Sequence, residues 1–287
     1  MKGAAQRWFV ASMLATLLVV PAGSASAADA TDADRTYRNY TRETATVADG
    51  QVRLEIRGLE QQDQDNVRLN LAGLRLRRVY PGLSVSDLKT GSVTGGVIDL
   101  VGSYGVAKDM EAGFIVPGYI QKVRFGNGMH FSDEDIGDLL LYGKFQRSVA
   151  EHCAVGAGVE LTMPNGPKDK GFGTGEFGAA PVVSTRYQHG PWAVGANVGY
   201  QIYAGTPSDV FNYGLEIILR GGESYAFRTE LAGRVFNEDG TRFNDLTILP
   251  GIDYNLSNNV TIRPQGMIGG TDFALDWGIG VGAAMTF

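Results

Sequence analysis

The sequence is poor in the residues that form disulfides and metal sites. It has a single cysteine, Cys153, so no disulfide can form within the chain. Its three histidines, at positions 130, 152 and 189, are scattered and do not follow the spacing of zinc ligands. No segment beyond residue 27 has 18 continuous apolar residues, so we expect no membrane-spanning helix. We therefore predict no metal, no cofactor and no helical membrane domain.

The chain also lacks an excess of positive charge. It has 25 basic and 31 acidic residues, and Lys2 and Arg7 are the only charged residues among the first 27. Removal of those 27 residues leaves a net charge of −8. A negative protein is repelled by phosphate backbones, so nucleic acid is not an expected partner.

An export signal occupies residues 1–27. Lys2 and Arg7 form a positive start, residues 8–20 are apolar, and residues 25–27 (Ala-Ser-Ala) have the small-x-small form of a cleavage site. The apolar run is shorter than the ~20 residues that a membrane span needs. We predict cleavage before Ala28 and export to the outer membrane of a diderm bacterium.

The informative pattern in the rest of the chain is alternation. From 273 to 287 the odd positions are bulky and apolar, whereas the even positions are small or polar. The same two-residue period recurs in 153–163, 192–203, 211–220 and 225–235. A β-strand places alternate residues on opposite faces. Ten-residue segments of this kind are typical of transmembrane β-barrels.

A soluble β-sandwich also alternates, but three features favour a barrel. The predicted strands have 10–15 residues, whereas soluble strands average ~5–6. Aromatic residues such as Tyr187, Trp192 and Tyr254 cluster at strand ends, as an interfacial girdle would. Short turns (108–110, 148–152, 188–191, 221–223, 255–259) alternate with longer loops (81–94, 122–135, 164–174, 204–210, 237–244), and only the loop at 270–272 is short. Outer-membrane barrels have short periplasmic turns and longer external loops.

We predict an all-β, antiparallel transmembrane β-barrel of about twelve strands. The predicted strands are 66–80, 95–107, 111–121, 136–147, 153–163, 175–187, 192–203, 211–220, 224–236, 245–254, 260–269 and 273–287. In this interpretation residues 28–65 form a periplasmic or lumenal segment, and 66–287 form the barrel. A further hairpin at 37–48 and 51–58, turning at Asp49-Gly50, would give fourteen strands. Its Arg38 and Arg42 would face lipid at a cost of ~2–4 kcal/mol near the midplane, which favours twelve.

Residues 137–184 resemble a known family. The segments that carry the resemblance are Gly137-Asp138 at a strand start, Pro164-Asn165-Gly166 at a strand end, and Gly173-Thr174-Gly175 before the next strand. They resemble the outer-membrane family linked to the meta-cleavage pathway of phenol degradation. The resemblance implies a channel-like protein that passes hydrophobic or aromatic compounds.

The predicted inner face of the barrel is polar and rich in glycine. Its charged residues are Lys144, Glu160, Glu176, Arg186, Glu216, Arg228, Glu230, Arg234, Asp253, Arg263 and Asp276. A turn centred on Gly222 would place Glu216 directly opposite Arg228, a stabilising cross-strand pair. These charges would brace a small lumen, line a polar path, or do both. The inner glycines relieve wall curvature or leave free volume.

Three further patterns give no site. Gly173-x-Gly175-x-x-Gly178 matches a dinucleotide fingerprint, but a strand follows it where that fingerprint needs a helix. Asp133-Glu134-Asp135, with Asp138, has the oxygens that Ca²⁺ prefers, but a solvated acidic loop explains it better. None of the histidines pairs in pattern with a serine nucleophile, so no catalytic residue is predicted.

We expect a channel or facilitator for small hydrophobic or aromatic molecules. The alternatives are a structural or adhesion barrel acting through its external loops and, second, an outer-membrane enzyme. The expected partners are outer-membrane lipid, a small-molecule solute and the barrel-assembly machinery. The aromatic Phe287 ends the final strand and is the predicted assembly signal, because an unpaired terminal strand offers an edge for recognition.

Overall fold

Long antiparallel strands make up almost all of the computed structural model, which describes residues 47–64, 92–124, 130–167, 172–205, 209–238, 241–271 and 277–287. Within these ranges, no helix is long and apolar enough to cross a membrane. The strands are β1 (Val52–Gln64), β2 (Ser92–Ala107), β3 (Met110–Arg124), β4 (His130–Ile136), β5 (Leu139–Ala150), β6 (Cys153–Met163), β7 (Gly178–His189), β8 (Trp192–Tyr203), β9 (Val210–Arg220), β10 (Tyr225–Glu238), β11 (Thr241–Asn255), β12 (Val260–Gly269) and β13 (Trp277–Thr286).

These thirteen strands close into a twelve-stranded barrel, because β4 and β5 share one place in the wall. Neighbours in the chain pair as hairpins from β5 to β13, β13 pairs with β1, and β1 returns through β2 to β3. Both β4 and β5 pair with β3, β4 along Gly118–Arg124 and β5 along Met110–Ile115. Together, β4 and β5 therefore count as one of the twelve strands of the barrel wall, interrupted at residues 137–138. The predicted twelve-stranded antiparallel barrel is confirmed, and closure leaves it without exposed sheet edges around the ring.

The first wall strand is not the predicted one. The strand predicted at 66–80 lies outside the described residues, whereas Val52–Gln64 pairs along its length with both β13 and β2. The boundary that placed 28–65 outside the barrel is therefore wrong for residues 52–64. The outer positions of β1 are apolar at Val52, Leu54 and Ile56, which suits a lipid-facing strand. The sequence argument failed because it judged this segment together with the arginine-rich residues before it.

The outer surface has the apolar band and aromatic rings that a membrane requires. Mid-barrel side chains such as Val159, Val183 and Val281 are exposed. Exposed aromatic residues mark both ends: Tyr104, Tyr187, Trp192, Tyr225, Tyr254 and Phe287 at the end with short turns, and Phe177, Tyr200, Phe211 and Trp277 at the other. This arrangement matches a lipid-facing band between two interfacial girdles. We call the two ends the turn end and the loop end.

The terminal strand closes the barrel at the turn end. The amide of Phe287 donates to the carbonyl of Val52 at 2.8 Å, and the Val52 amide donates to the carbonyl of Phe287 at 3.2 Å. Met285 has the predicted lipid parity but is only 9% exposed. Leu54 and Val260 flank it in register and cover it.

Candidate functional site: the barrel lumen

One side of the lumen is lined by buried ionic side chains, which we call the charged wall. They come from β1, β10, β11 and β12: Arg53, Glu55, Arg57, Arg228, Glu230, Asp253 and Arg263. Glu230 and Asp253 are fully buried, and Glu55 and Arg228 are nearly so. Charged side chains are rarely buried unless they are paired, so their partners decide whether this wall is stable.

The charged wall is a continuous network. Arg57 Nε lies 2.8 Å from Glu55 Oε1, and Arg263 Nη1 lies 3.1 Å from the same oxygen. The Nε of Arg263 lies 2.6 Å from Asp253 Oδ1. Arg228 continues the network, since it contacts Glu230 and its Nη2 lies 3.4 Å from Gln265 Oε1. Each buried carboxylate therefore has an arginine beside it, which offsets its desolvation.

A glycine in β13 lets the network cross that strand. Arg57 and Arg263 both lie in register with Gly282, one on each side. A Cβ at Gly282 would lie 3.6 Å from the Cβ of Arg263 and 3.8 Å from the Cγ of Arg57. The two arginine side chains pass over the glycine, and Arg263 thereby reaches Glu55, two strands away. At this position the inner glycine accommodates large neighbours.

The predicted cross-strand pair of Glu216 and Arg228 is wrong. Glu216 lies opposite Glu230, and Arg228 lies opposite Ile218. The reason is the turn, which centres on Glu223 where the prediction used Gly222, because the amide of Gly221 donates to the carbonyl of Tyr225. This shift moves every pairing by two residues and keeps both carboxylates on the inner face. Arg228 still neutralises Glu230, but along its own strand.

The opposite side of the lumen is different, and we call it the open wall. Most of its inner positions midway along β5, β6 and β7 are only half-buried: Lys144, Gln146, Gly156, Gly158, Glu160, Val182 and Ser184. Thr162 and Ala180, nearer the loop end, are buried. Several of the half-buried residues are very small. A Cβ at Gly156 would lie 2.5 Å from Ser184 Oγ, so this glycine makes room for its neighbour. The interior is therefore closed on one side and accessible on the other.

Arg186 on β7 marks the border between the two sides. Its guanidinium is buried, and neither Nη1 nor Nη2 has a hydrogen-bond partner among the described residues. Gly195 lies beside it in register, with Glu216 one strand further. A buried arginine in this position places positive charge at the edge of the accessible side.

A second polar cluster holds the chain before β1 against the inside of the wall. Glu111 accepts hydrogen bonds from the Val47 amide at 2.6 Å and from the Tyr142 hydroxyl at 2.8 Å, and Lys144 Nζ lies 3.5 Å away. Val47 is buried. A Cβ at Gly105 would lie 1.9 Å from the carbonyl oxygen of Ala48, so only glycine fits there. Residues 47–48 therefore enter the lumen at the turn end.

The residues that carry the family resemblance form a brace at the loop end. Asp138 accepts hydrogen bonds from the Gly166 amide at 3.0 Å, from the Thr174 amide at 2.7 Å and from the Thr174 hydroxyl at 2.7 Å. Asn165 Oδ1 accepts the Leu139 amide at 2.7 Å. Three backbone amides and three side chains thus tie the loop between β6 and β7 to the break between β4 and β5.

Close packing explains the glycines of this brace. A Cβ at Gly137 would lie 2.4 Å from the ring of Tyr119, and one at Gly173 would lie 2.3 Å from the carbonyl oxygen of Gly166. Phe172 is buried, and its ring stacks on that of Tyr119 with centroids 6.0 Å apart. Because Tyr119 is on the inner face of β3, the loop turns inward at the lumen mouth. The Gly173–Gly178 pattern serves this loop, and Gly178 begins a strand.

The structure brings some predicted lumen residues together and leaves others apart. Arg186, Glu216, Arg228, Glu230, Asp253 and Arg263 are buried on the inner face, and Lys144 and Glu160 are half-buried there. Glu176 precedes β7 and lies in the loop, where its carboxylate occupies the space beside Gly205. Arg234 is exposed towards the loop end. Asp276 lies outside the described residues.

The acidic segment 133–135 is not gathered around a common point. Asp133 and Asp135 accept the amides of the residues that follow them, at 2.9 Å each. Asp138 is bonded to the loop brace. Across the described ranges, no three His, Cys, Asp or Glu side chains are grouped as metal ligands would be.

Sequence reasoning missed the β1 residues Arg53, Glu55 and Arg57. Their alternation with Val52, Leu54 and Ile56 is the same signal that located the other strands. It also missed Glu111, the second residue of β3, just after a turn. Nothing in the sequence indicates that Glu111 accepts the amide of Val47, 64 residues earlier.

Comparison with solved structures shows the same fold at low sequence identity. The channel titled COG4313 outer membrane channel, from Pseudomonas putida F1, aligns with a TM-score of 0.60 at 14% identity, over 85% of this chain and 98% of that one. The NanC porin aligns at 0.53 and 10%, over 81% and 98%. The β-domain of the Bordetella autotransporter BrkA aligns at 0.52 and 11%, over 83% and 100%. The fold is that of an outer-membrane β-barrel.

Sequence comparison identifies the family. No curated protein matches the chain. The model of the family described as "Putative MetA-pathway of phenol degradation" matches residues 79–287, which is well over half of the sequence. That match includes the loop brace at Asp138 and all the wall strands after β1, and it agrees with the resemblance carried by residues 137–184. The chain belongs to this family of phenol-degradation-associated outer-membrane barrels.

Proposed function

We propose that this protein is an outer-membrane channel through which small hydrophobic or aromatic molecules cross. The observation that carries the proposal is the unequal lumen, with ionic side chains packed against one side and small, half-buried residues on the other. A barrel that served only as a scaffold could be filled evenly with apolar side chains. Replacing buried ion pairs by such residues is often neutral or stabilising, so stability alone does not account for the charged wall.

The chemistry of the lumen suits aromatic solutes that carry a polar group. The open wall offers apolar and small surfaces at Val182, Gly156 and Gly158, over which a ring could slide. Arg186, buried at its border, could attract a phenolate or carboxylate and could face an aromatic ring, since arginine guanidinium groups favour both contacts. The description of the family also points to the breakdown of phenols.

The open wall is the proposed route, and the loop brace sets its entrance. The loop that Asp138 holds turns Phe172 onto Tyr119 at the loop end. A solute that enters there would meet two aromatic rings before it reaches Val182 and Ser184. Selectivity in such a path comes from its width and from the side chains at its narrowest point.

A second candidate function is a structural or adhesion barrel. The observation that favours it is the packing of the charged wall, whose fully buried Glu230 and Asp253 leave no space on that side of the lumen. The inward loop at Phe172 narrows the lumen mouth further. In this case the external loops would carry the function and solutes would not cross.

The test is efflux from liposomes that contain the purified protein. We expect 4-hydroxybenzoate to leave several-fold faster than from protein-free liposomes, and faster than arabinose does. Ser184→Trp fills the open wall and should slow efflux several-fold. Thr185→Trp is the matched control, because Thr185 is the next residue on β7, faces outward and is exposed. It should leave efflux unchanged. Liposomes that stay sealed to both solutes would favour the structural barrel.

A further inference from the structure

Two of the three histidines, scattered in the sequence, meet at the turn end of the barrel. His152 lies in the turn between β5 and β6, and His189 ends β7. The two segments are held side by side, since the amide of Gln188 donates to the carbonyl of His152 at 2.8 Å. Gly190, with a φ of 55°, then turns the chain into β8. The backbone thus fixes the two histidines next to each other.

A nitrogen of one ring lies close to a nitrogen of the other, at the spacing of two ligands of one metal ion. His189 Nδ1 lies 3.3 Å from His152 Nε2, and the ring planes are 79° apart. Zinc binds histidine nitrogen at 2.0–2.1 Å in tetrahedral geometry, so two of its nitrogen ligands are about 3.3–3.4 Å apart. The observed separation therefore matches the distance between two nitrogen ligands of one metal ion.

The surroundings place a carboxylate within reach and hold one ring in place. Glu151 Oε1 lies 4.0 Å from His152 Nε2, and the Glu151 side chain is largely exposed and free to rotate. The ring of Tyr187 packs edge-on against that of His152, with centroids 6.2 Å apart. Both histidines are accessible to solvent, so an ion can enter and water can complete its coordination.

We propose that His152 and His189 bind one divalent transition-metal ion such as Zn²⁺ at the turn end, and that Glu151 joins them as third ligand after its exposed side chain rotates. Two imidazoles and a carboxylate are a ligand set that such ions accept, with water in the fourth position. The site joins two adjacent turns on the outside of the lumen. It is independent of solute passage, so it would stand even if the protein formed no channel.

The alternative is a hydrogen bond between two metal-free imidazoles, with one ring donating and the other accepting. Calorimetric titration of the detergent-solubilised, untagged protein with zinc chloride separates the two. We expect one ion per chain, and about tenfold or greater weakening in His152→Ala and in His189→Ala. Glu151→Gln should weaken binding less, because water can replace its oxygen. Copper-loaded protein should show hyperfine coupling to two nitrogens by electron paramagnetic resonance.

Two control variants make the test specific. His130→Ala changes a histidine on β4, at the loop end, and should leave the affinity for zinc unchanged. Cys153→Ser should also leave it unchanged, although Cys153 is a free thiol next to His152. The proposal is overturned if the wild-type protein binds no zinc or copper, or if His152→Ala and His189→Ala bind as tightly as His130→Ala. Retained heat-modifiable migration in gels would confirm that each variant is folded.

Discussion

The charged wall and the open wall belong to the same barrel but differ in what fills them. On the charged wall, Arg263 joins carboxylates from β1 and β11, and every member is buried except Arg57, whose side chain is 11% exposed. On the open wall, the ion pair between Lys144 and Glu111 is longer, at 3.5 Å, and Lys144 is 19% exposed. The difference indicates that the inner charges have two roles. The charges of the charged wall fill one side of the lumen where an apolar core would otherwise pack. Those of the open wall lie beside accessible space.

The largest expected effect comes from removal of one member of the charged network. Arg263→Met would leave Glu55 with fewer partners and would leave Asp253 with only Arg228, whose Nε is 3.9 Å away. Breaking a buried ion pair in this way costs about 3–5 kcal/mol. We expect a loss of that size in the free energy of unfolding in urea, measured in detergent by tryptophan fluorescence.

The matched change on the open wall is Lys144→Met. Glu111 is buried but keeps its hydrogen bonds from the Val47 amide and the Tyr142 hydroxyl, so we expect a smaller loss, of about 2 kcal/mol. Equal losses for the two variants would contradict the division of the lumen into two walls. A greater loss for Lys144→Met would reverse the assignment of the bracing role.

A further comparison separates the inner face from the lipid face of β13. Val281 is 37% exposed and faces outward, whereas Gly282 faces Arg57 and Arg263 at ordinary contact distances. Val281→Arg should cost about 2–4 kcal/mol near the midplane. Gly282→Ser should cost less, because its added atoms enter polar surroundings. The folded fraction of each variant in outer-membrane extracts measures its cost. A greater loss for Gly282→Ser would show that the inner and lipid faces of β13 are assigned the wrong way round.

Deletion of Phe287 should change assembly more than stability. Phe287 exchanges two backbone hydrogen bonds with Val52, the first residue of β1, and is itself exposed among the girdle aromatics. Both walls depend on this closure, because β1 brings Glu55 to the network. We expect normal export and a lower heat-modifiable folded fraction at low expression. Wild-type speed and yield of assembly would leave Phe287 with a girdle role only.

Much of the wall could be predicted from the sequence. The two-residue period identified the lipid-facing residues of β8, β9 and β13, and Trp192, Ile217 and Val281 are indeed exposed. The period is local and follows from strand geometry alone. It also identified Arg186, Glu230 and Arg263 as inner residues, although it could not show which of them are bonded to each other.

The failures concern contacts that the local period does not determine. The register between β9 and β10 depends on the centre of one turn, and a shift of one residue there paired Glu216 with the wrong neighbour. The first strand was misplaced because its segment was judged together with the arginine-rich residues before it, and the local period could not show that it pairs with β13 and β2. The meeting of His152 and His189 has the same origin, since it depends on two turns that adjacent strands bring together.

The central claim is that the lumen is accessible along the open wall, β5–β7, and closed along the charged wall, β1 and β10–β12. It can be tested by thiol labelling in a Cys153→Ser background, with Ser184→Cys on the open wall and Ala226→Cys beside the charged wall. Ser184 is half-buried and Ala226 is fully buried, in register with Asp253. A charged, membrane-impermeant methanethiosulfonate reagent, applied to the folded barrel in liposomes, should modify Ser184→Cys at least tenfold faster than Ala226→Cys. It should also reduce the single-channel conductance of Ser184→Cys. Equal labelling rates, or a Ser184→Cys thiol that does not react, would contradict the account.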